Sequence, residues 1–563
     1  MTSVAARWRA LRTGAGRDGI GVRLLGTFTL DTFVPHLGTA LAELGVPADV
    51  TVGPFNRIVR ECLDPDSETA AAAPDVLVVW PRLEDLWGGP VAVPGTAAVG
   101  ERLLRAVDDL ADAVGSRGGR RVVVLPAVPA DRPLGAGDAS SPHGVRALAT
   151  AARQRLAERL GATGGTVLCD AEDFVRAVGE RLTHDRRMEQ LAAIPYTDEL
   201  FAEAGRALAR AIRLTVRSAV KVVVLDADGT LWGGAVGELG AEGVALGPGP
   251  AASHLDFQRF LLGLRDSGVL LALCSKNVED DVWEVFARPD MVVRREHLSA
   301  WRIGWQAKHI AVTELAAELG IAVNDMVLVD DNPAELAEAE AALPALRTVL
   351  MPADPPRWRE AVTDPAFDRL PPNDDDRSRP LRLAQDRERE QARHALTPRD
   401  YLGHLGIWAT SRLSSPTDLP RLAQLVLRTN QMNLNGRRPS QDELARLRAS
   451  RSHEVRLVEA GDGYGDYGQV GLFVLGFFDG TARLELFLLS CRALGRDVER
   501  MMLAEAFAVA RSRDCESITA TVEELPRNEP ARLLFGRLGC AVPSQEATLT
   551  LVECPSHVEV RGG

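Results

Sequence analysis

Short apolar runs alternate with amphipathic stretches through the first 216 residues of the chain. The runs cover residues 22–28, 74–80, 120–128 and 165–170, with a less continuous one at 46–53. Runs of this length are typical of strands buried on both faces, as in parallel sheets. With helices predicted between them, residues 20–216 are expected to form a doubly wound α/β domain. Residues 1–19 carry no such run and are expected to be a disordered or loosely attached arm.

Three further apolar runs end in side chains that can carry chemistry. The runs cover residues 222–225, 270–274 and 326–329. The polar residues that follow them are Asp226, Asp228, Ser275, Asp330 and Asp331. Open parallel sheets place their ligands at the carboxyl ends of the strands, where neighbouring acids repel each other unless a cation such as Mg²⁺ binds them. The alternative is that the Asp226–Asp228 segment is only a solvated turn.

A hydroxyl and a lysine near these acids could bind a phosphoryl group. Ser275 can hold a phosphate oxygen, and Lys308, on a helix-like segment, can neutralise a phosphoryl group and Asp226. The segment 231–268 consists mostly of a helix predicted at 254–265, which leaves no room for a separate cap domain. An open site of this kind suits a substrate held on a protein.

The last third of the chain has a different pattern. Residues 353–397 are rich in proline, aspartate and alternating charges, and they are expected to form an irregular connector and a solvated linker helix. After residue 398, two apolar alternating segments predict antiparallel strands, and an amphipathic helix is predicted just after Cys491. The predicted fold class is therefore α/β for two domains, 20–216 and 217–352, and α+β for a third, 398–563.

Composition narrows the functional classes. The chain has 563 residues, of which 46% are hydrophobic and 25% are charged, as in an ordinary globular protein. A formal net charge of −13 argues against nucleic acid as a partner, because phosphate binding needs a basic face. We expect no membrane span and no secretory signal. Seven cysteines without metal-like spacing indicate reduced thiols and a cytoplasmic location.

The order of the motifs resembles the HAD superfamily, in which an aspartate nucleophile, a hydroxyl, a lysine and an acid pair follow one another. The finer pattern resembles the FkbH-like subfamily, glyceryl transferase/phosphatases that load carrier proteins in polyketide pathways. The segments that carry this resemblance are DADGTLWGGAVGE, CSKN, the Trp301–Trp305–Lys308 run, VDDNPAE, NQMNL, GDYGQVG and LSCRALGR. Gly229 and Gly304 stand where that subfamily usually has asparagine.

The resemblance implies a role for each matched residue. Asp226 would be the nucleophile, and Asp228 would be the general acid and base. The residues implied to bind the transferring phosphoryl group are Thr230, Ser275, Lys276 and Lys308. The implied Mg²⁺ ligands are Asp226, the carbonyl of Asp228, Asp331 and Asp330, and the sequence leaves open which of the last two touches the metal.

A cysteine is implied to hold the acyl group as a thioester. Cys274 lies one residue from Ser275 and near Lys308, conditions that would lower the pKa of its thiol. Cys491 is the rival for this role. The alternative for Cys274 is a small buried residue that finishes a strand.

The flanking domains also resemble known folds. The first resembles an SGNH-hydrolase-like domain, but no GDS motif occurs near residues 26–27, so we expect a degenerate domain that binds or scaffolds. The last resembles the GNAT acyltransferases, whose acetyl-CoA motif places a turn before a helix N-terminus. Asp497 would oppose a phosphate there, which favours the pantetheine arm of a carrier over CoA. The residues implied to bind it are Arg492, Gly495, Arg496 and Asn528.

The sequence thus supports two enzyme hypotheses. In the first, the chain takes a glyceryl unit from 1,3-bisphosphoglycerate, removes phosphate and loads the acyl unit onto an acyl carrier protein. In the second, it is a plain Mg²⁺-dependent phosphatase with scaffolding domains. A third hypothesis, an interaction module with an inactive core, conflicts with the intact set of acids, hydroxyl and lysine.

Overall fold

The computed structural model describes most of the chain. The described residues are 4–14, 19–86, 97–132, 134–161, 165–217, 219–372, 374–377, 379–381, 383, 385, 389, 397–429, 431–478, 480–490, 492–525, 528–540 and 546–561. The chain divides into two compact units, residues 1–377 and 378–563. The first unit contains two parallel sheets, which correspond to the two predicted α/β domains. No helix among these residues is long and apolar enough to cross a membrane.

The first sheet has five parallel strands in the order β2-β1-β3-β4-β5. In chain order they are Ile20–Gly26, Ala48–Val52, Val76–Trp80, Arg120–Leu125 and Thr166–Asp170. Its α-helices are Val34–Glu43, Ile58–Leu63, Glu68–Ala72, Leu83–Leu86, Ala97–Ser116, Val145–Gly161, Ala171–Val178, Arg186–Ala192 and Asp198–Val216, with 3-10 turns at Gly135–Ser140 and Glu180–Leu182. Alternate residues of the central strand β3 face opposite sides of the sheet: Val76 and Val78 pack in one core, and Leu77 and Val79 pack in another. Both cores also contain helix residues, so helices cover both faces of the sheet. The predicted doubly wound fold is confirmed.

The second sheet also has five parallel strands, in the order β10-β9-β6-β7-β8. In chain order, β6 to β10 are Val222–Leu225, Leu270–Ser275, Leu298–Ile303, Met326–Asp330 and Arg347–Leu350. Its α-helices are Val236–Leu239, Ala252–Asp266, Glu279–Phe286, Lys308–Leu319, Pro333–Ala342, Trp358–Val362 and Asp374–Arg377. Its 3-10 turns are Gly249–Ala251, Arg295–His297, Val323–Asp325, Pro355–Arg357 and Pro365–Phe367. Only the helices Val236–Leu239 and Ala252–Asp266 and one 3-10 turn separate β6 from β7, so the site at the strand ends has no large cap.

The second unit is an α+β domain around an eight-stranded sheet in the order β17-β16-β15-β14-β13-β11-β18, with β12 paired to β15. In chain order, β11 to β18 are Ile407–Leu413, Met432–Asn433, His453–Asp462, Gly465–Phe478, Thr481–Leu489, Ser517–Ala520, Ala547–Thr548 and Val558–Val560. Its α-helices are Pro398–Leu405, Leu419–Arg428, Gln441–Ala449, Val498–Ser512 and Glu529–Gly536, with a 3-10 turn at Pro416–Asp418. The predicted antiparallel pair is confirmed as β14 and β15.

Two segments expected to be loose are ordered. Residues Val4–Gly14 form a helix, and Trp8 is 7% exposed because its ring packs on Gly38. The arm prediction is therefore wrong for this helix, while residues 1–3 and 15–18 lie outside the described residues.

The predicted connector is wrong in its first half, because its apolar side chains join the core of the second sheet. The ring centroid of Trp358 lies 6.1 Å from that of Phe257, and Ala361 and Ala366 are buried in the same core. Most residues of the charged run that follows, 377–393, lie outside the residues that the structure describes. Arg389 is buried there and forms two hydrogen bonds with Asp462, at 2.8 and 2.9 Å, which a solvated helix would not allow.

Candidate active site

The side chains that end three central strands meet at one edge of the second sheet. β6 lies between β9 and β7, and all three strands run parallel, so their carboxyl ends lie side by side. Asp226 follows β6 directly, whereas Ser275 and Asp330 are the last residues of β7 and β9. Open α/β sheets bind their ligands at this edge.

Lys308 lies buried between two carboxylates. It is the first residue of the helix Lys308–Leu319, and its side chain is 4% exposed. Its Nζ donates to Asp226 Oδ1 at 2.6 Å and also donates to Asp330 Oδ2. Burial alone would lower the pKa of Lys308, but these two carboxylates outweigh burial and raise that pKa. The ammonium group therefore keeps its charge and relieves the repulsion between the two acids.

Three carboxylates lie close enough to share a divalent cation. Oxygens of Asp226, Asp330 and Asp331 all lie within 4.8 Å of one another. Burial raises the pKa of Asp226, with Lys308 opposing that rise and Asp330 adding to it, so one lysine does not balance the three acids. Hard carboxylate oxygens are the ligands that Mg²⁺ prefers, and this donor set fits Mg²⁺.

The two members of the acid pair differ in what they already bind. Asp330 Oδ2 accepts a hydrogen bond from Lys308, and Asp330 Oδ1 accepts one from the backbone N–H of Asn332 at 2.8 Å. Asp331 is exposed at the same edge, and its carboxylate lies against Gly229. Asp331 is therefore better placed than Asp330 to bind a metal beside Asp226.

Gly229 leaves the room that the carboxylate of Asp331 occupies. Its φ is +70°, and a Cβ built there would lie 2.0 Å from Asp331 Oδ2. That carboxylate ends a flexible, exposed side chain and can turn aside for a larger residue, so its role is tested on Asp331 itself. We expect Asp331→Asn to fold normally and to raise the Kd for Mg²⁺ measured by calorimetry about tenfold or more, because one carboxylate ligand is lost.

Asp266 offers a matched control for that substitution. It is exposed and ends the helix Ala252–Asp266 before β7, at the opposite edge of the sheet. Asp266→Asn should therefore leave the Kd for Mg²⁺ unchanged. If Asp331→Asn also binds Mg²⁺ with the original affinity, Asp331 is not a ligand.

The carboxylate of Asp228 is held by three donors. Its Oδ1 accepts from Trp232 Nε1 at 2.7 Å and from the backbone N–H of Val236 at 3.1 Å, and its Oδ2 accepts from Asn277 Nδ2 at 3.0 Å. It is not a member of the three-carboxylate group, so a metal ligand from this residue would have to be its backbone carbonyl, as expected. Neither Trp232 nor Asn277 was assigned a role from the sequence, although both lie inside the quoted motifs.

Two hydroxyl groups complete the site. Ser275 is buried, and its Oγ accepts from Asn277 Nδ2 at 2.9 Å. Thr230 is fully buried, and its Oγ1 has no hydrogen-bond partner among the described residues. A buried hydroxyl without a partner is costly, so Thr230 has unused capacity for a ligand oxygen.

Comparison with known proteins places this geometry in a known fold. Neither a family model nor a curated protein matches the sequence. Among solved structures, the chain is similar to the N-terminal part of the protein BF1531 from Bacteroides fragilis, which contains a phosphatase domain and is complexed with Mg. The likeness covers 65% of this chain and 98% of that chain, at 20% identity and a TM-score of 0.56. The two share a fold.

Two acetyltransferase structures match a smaller part of the chain. The ribosomal-protein-S18-alanine N-acetyltransferase from Escherichia coli is 14% identical over 23% of this chain and 76% of that chain, with a TM-score of 0.20. The spermidine N-acetyltransferase from Vibrio cholerae, in complex with CoA and spermine, is 19% identical over 20% of this chain and 70% of that chain, with a TM-score of 0.17. These scores are too low to establish a shared fold.

Lys276 does not join the site. Its Nζ donates to Glu335 Oε1 at 2.6 Å, on the helix Pro333–Ala342. Its implied role as a phosphate ligand stays a prediction, and its charge is paired with Glu335 in this arrangement.

The environment of Cys274 is also different from the prediction. The residue is buried, and burial raises the pKa of its thiol to about 12. Lys308 opposes that rise, but its charge is already shared by Asp226 and Asp330, which raise the pKa further. The groups of this chain on their own therefore raise the thiol pKa, and the tethering role stays a prediction. Cys491, the rival, lies outside the described residues.

The predicted carrier-binding turn in the second unit precedes the helix Val498–Ser512. Gly495 has a φ of +74°, and Arg496 donates to the backbone carbonyl of Arg492 and lies 4.6 Å over the ring of Tyr467. The backbone of Asp497 is left-handed at the helix start, and its Oδ2 lies 3.7 Å from Nη1 of Arg500. The turn thus brings Arg492, Gly495 and Arg496 together, with the acid of Asp497 partly balanced.

Asn528 does not belong to that turn. It is fully buried, its Nδ2 donates to the carbonyls of Asn433 and Glu523 at 3.1 and 2.8 Å, and its Oδ1 accepts from the backbone N–H of Leu525 at 3.0 Å. Its predicted binding role is wrong, because these bonds use its amide to fix the loop before the helix Glu529–Gly536.

The end of β1 in the first sheet carries no nucleophile that is poised for attack. Thr27 is buried, and its Oγ1 accepts from the backbone N–H of Arg82 at 3.0 Å. Arg82 in turn donates to Glu189 Oε1 at 2.6 Å. Thr27 thus has a contact within the domain, and the scaffold role of this domain stays a prediction.

Proposed function

We propose that this chain is a Mg²⁺-dependent enzyme that transfers phosphoryl groups through Asp226. The observation that carries the proposal is the buried Asp226–Lys308–Asp330 group beside Asp331, at the carboxyl edge of a parallel sheet. Strongly perturbed acids next to a lysine at such an edge are typical of active sites. The fold shared with a structure that contains a phosphatase domain complexed with Mg supports this reaction class.

The reaction has two balanced steps. A carboxylate oxygen of Asp226 forms a bond to phosphorus while the bond from phosphorus to the substrate oxygen breaks, and Asp228 gives its proton to that oxygen. Water then attacks phosphorus and gives its proton to Asp228, and the carboxylate of Asp226 leaves as inorganic phosphate forms. Both residues return to their starting state.

The neighbouring groups would bind the phosphoryl oxygens. Two of the three N–H groups of Lys308 donate to Asp226 and Asp330, so one remains for a phosphoryl oxygen. Ser275 and the unpartnered hydroxyl of Thr230 are further donors. A Mg²⁺ held by Asp226 and Asp331 would add positive charge where charge develops during transfer.

We further propose that the substrate is 1,3-bisphosphoglycerate and that the glyceryl unit is loaded onto an acyl carrier protein. The FkbH-like motifs support this assignment. An exposed apolar rim at the site is consistent with a pantetheine arm: Val278, directly after Asn277, is 53% exposed and Trp305 is 75% exposed. Trp305 follows Gly304, whose N–H donates to the carbonyl of Ser275 at 2.9 Å, so it lies beside the site. Arg492 and Arg496 are proposed to meet the phosphodiester of the carrier.

Intact-mass analysis of a holo carrier protein tests this assignment. After incubation with the enzyme, Mg²⁺ and 1,3-bisphosphoglycerate, the carrier should gain a glyceryl group, and inorganic phosphate should appear. With Asp226→Asn, the carrier should instead gain a glyceryl group that still bears its phosphate. Phosphate release without any gain in carrier mass would contradict the loading step. A plain phosphatase would then be the remaining function.

A plain phosphatase is the second candidate, and one observation favours it. The Cys274 thiol is buried with a raised pKa, which opposes formation of the thiolate that a thioester relay needs. In this case the substrate would be a small or carrier-bound phosphate ester.

The relay through Cys274 predicts a specific defect. A thiolate would displace phosphate from the acyl phosphate, and the pantetheine thiol would then take the acyl group by thioester exchange. We expect Cys274→Ala to hydrolyse phosphate esters but to show no acyl adduct on the enzyme and no loaded carrier by mass spectrometry.

Cys62→Ala is the matched control, because Cys62 is also buried with a thiol pKa raised to about 11, in the core of the first sheet. It should load the carrier like the unsubstituted enzyme. Normal loading by Cys274→Ala, or an adduct that maps to Cys491, would remove Cys274 from the relay.

A further inference from the structure

We propose that Asn277 is a positioning residue that holds Asp228 and Ser275 in one geometry for phosphoryl transfer. The inference rests on the proposed phosphatase site and assigns a role to a residue that the motif comparison leaves without one. One amide group joins the acid/base residue to the phosphate-binding hydroxyl, so its loss should disturb both at once.

The contacts of Asn277 define its role. The residue is 7% exposed and follows β7 by two positions. Its Nδ2 donates to Asp228 Oδ2 at 3.0 Å and to Ser275 Oγ at 2.9 Å. The carboxylate of Asp228 can only accept, so the amide nitrogen must face it, and both N–H groups of Asn277 are then used.

This arrangement fixes the direction of the Ser275 hydroxyl. Because Ser275 Oγ already accepts from Asn277, its single O–H is left to donate elsewhere. Ser275 ends β7, which pairs with β6 just before Asp226, so we assign a phosphoryl oxygen bound beside Asp226 as the acceptor of that O–H. Asn277 thus prepares Ser275 as a donor to a phosphoryl oxygen.

The same arrangement distinguishes the two oxygens of Asp228. Oδ1 accepts two hydrogen bonds, from Trp232 and Val236, whereas Oδ2 accepts only the one from Asn277. Oδ2 therefore keeps acceptor capacity, and we assign it as the atom that gives a proton to the leaving oxygen and takes one from water.

The dual role predicts a dependence on the leaving group. A poor leaving group, such as the alkoxide of glycerol phosphate, needs the proton of Asp228, whereas the nitrophenolate of 4-nitrophenyl phosphate leaves without it. General acid catalysis typically contributes about 10²- to 10⁴-fold. Loss of Asn277 should therefore lower kcat/KM for the alkyl ester about 100-fold or more and for the aryl ester about tenfold, the latter through Ser275.

The test compares Asn277→Ala and the isosteric Asn277→Asp, which keeps the shape but removes both donors. Trp232→Phe serves as a partial variant, because it removes one donor to Asp228 and none to Ser275. Asn324→Asp is the matched control, since Asn324 is exposed in the turn before β9, at the opposite edge of the sheet. Inhibition by inorganic phosphate is measured for each variant as a readout of the Ser275 contact.

We expect both Asn277 variants to lose more activity on the alkyl ester than on the aryl ester. Both should also bind inorganic phosphate more weakly. Trp232→Phe should show the leaving-group effect with unchanged phosphate inhibition, and Asn324→Asp neither. Equal losses on both esters, or no loss, would overturn the role of Asn277. An unsubstituted enzyme that hydrolyses neither ester would instead overturn the proposed phosphatase function.

Discussion

Replacing Asp226 by asparagine is expected to abolish phosphate release from a phosphate monoester while leaving the fold intact. The substitution keeps the shape of the side chain but removes the attacking oxygen, and loss of a nucleophile typically costs on the order of 10⁴-fold or more in kcat. Lys308 would keep its contact with Asp330, so no buried charge is left unpaired. Steady-state phosphate release is the measurement, with intact mass excluding deamidation of the new asparagine.

Asp325→Asn controls for the loss of a carboxylate in the same sheet. Asp325 precedes β9 and pairs with Lys221 at 2.5 Å, at the edge opposite the site. Its variant should release phosphate at the original rate. Full activity of Asp226→Asn would show that Asp226 is not the nucleophile.

Replacing Lys308 by methionine should impair both activity and stability. Asp226 and Asp330 would lose their shared counter-charge in a buried site, and breaking a buried ion pair typically costs about 3–5 kcal/mol. We therefore expect the free energy of unfolding in chelator to fall by about 3 kcal/mol. Mg²⁺ should restore part of that loss, because it replaces the missing positive charge beside the same carboxylates.

Lys221→Met provides the comparison for this variant. Lys221 pairs with Asp325, but its side chain is 39% exposed, so little stability should be lost. Denaturant titrations with and without Mg²⁺ decide the outcome. Equal stability of Lys308→Met and Lys221→Met in chelator would contradict the view that Lys308 offsets the repulsion of the buried acids.

In the second sheet, the sequence predicted the central strands but not the edge strands. β6, β7 and β9 lie inside the second sheet, so both of their faces are apolar and the runs are continuous. β8 and β10 lie at the two edges, where polar residues interrupt the pattern, as in the LSAWRI sequence of β8. Partly exposed strands lose the continuous apolar signal.

Within the site, sequence order located the groups that end strands but not their partners. The family resemblance implies a phosphate contact for Lys276, yet Glu335, 59 residues later, pairs with its charge. Asn277 contacts Asp228 across 49 residues of the chain, and such long-range partners leave no local pattern. Trp232 lies only four residues from Asp228, but its position alone does not show that its ring N–H faces that carboxylate.

The pKa of Cys274 shows how burial can reverse an inference from neighbours. A nearby lysine lowers a thiol pKa only when its charge is available and the thiol is partly hydrated. Here Lys308 already binds two carboxylates and the strand end is buried, so the direction of the shift is reversed. Neither condition can be deduced from the distance along the chain.

Chemical trapping of the phosphorylated enzyme tests the central claim most directly. A reaction quenched during turnover of a phosphate ester with Mg²⁺ is reduced with borohydride, which converts an aspartyl phosphate into homoserine that tandem mass spectrometry can locate. The account predicts homoserine at Asp226, and none in a sample without substrate. Homoserine at another aspartate, or continuous phosphate release with no reducible residue, would contradict it.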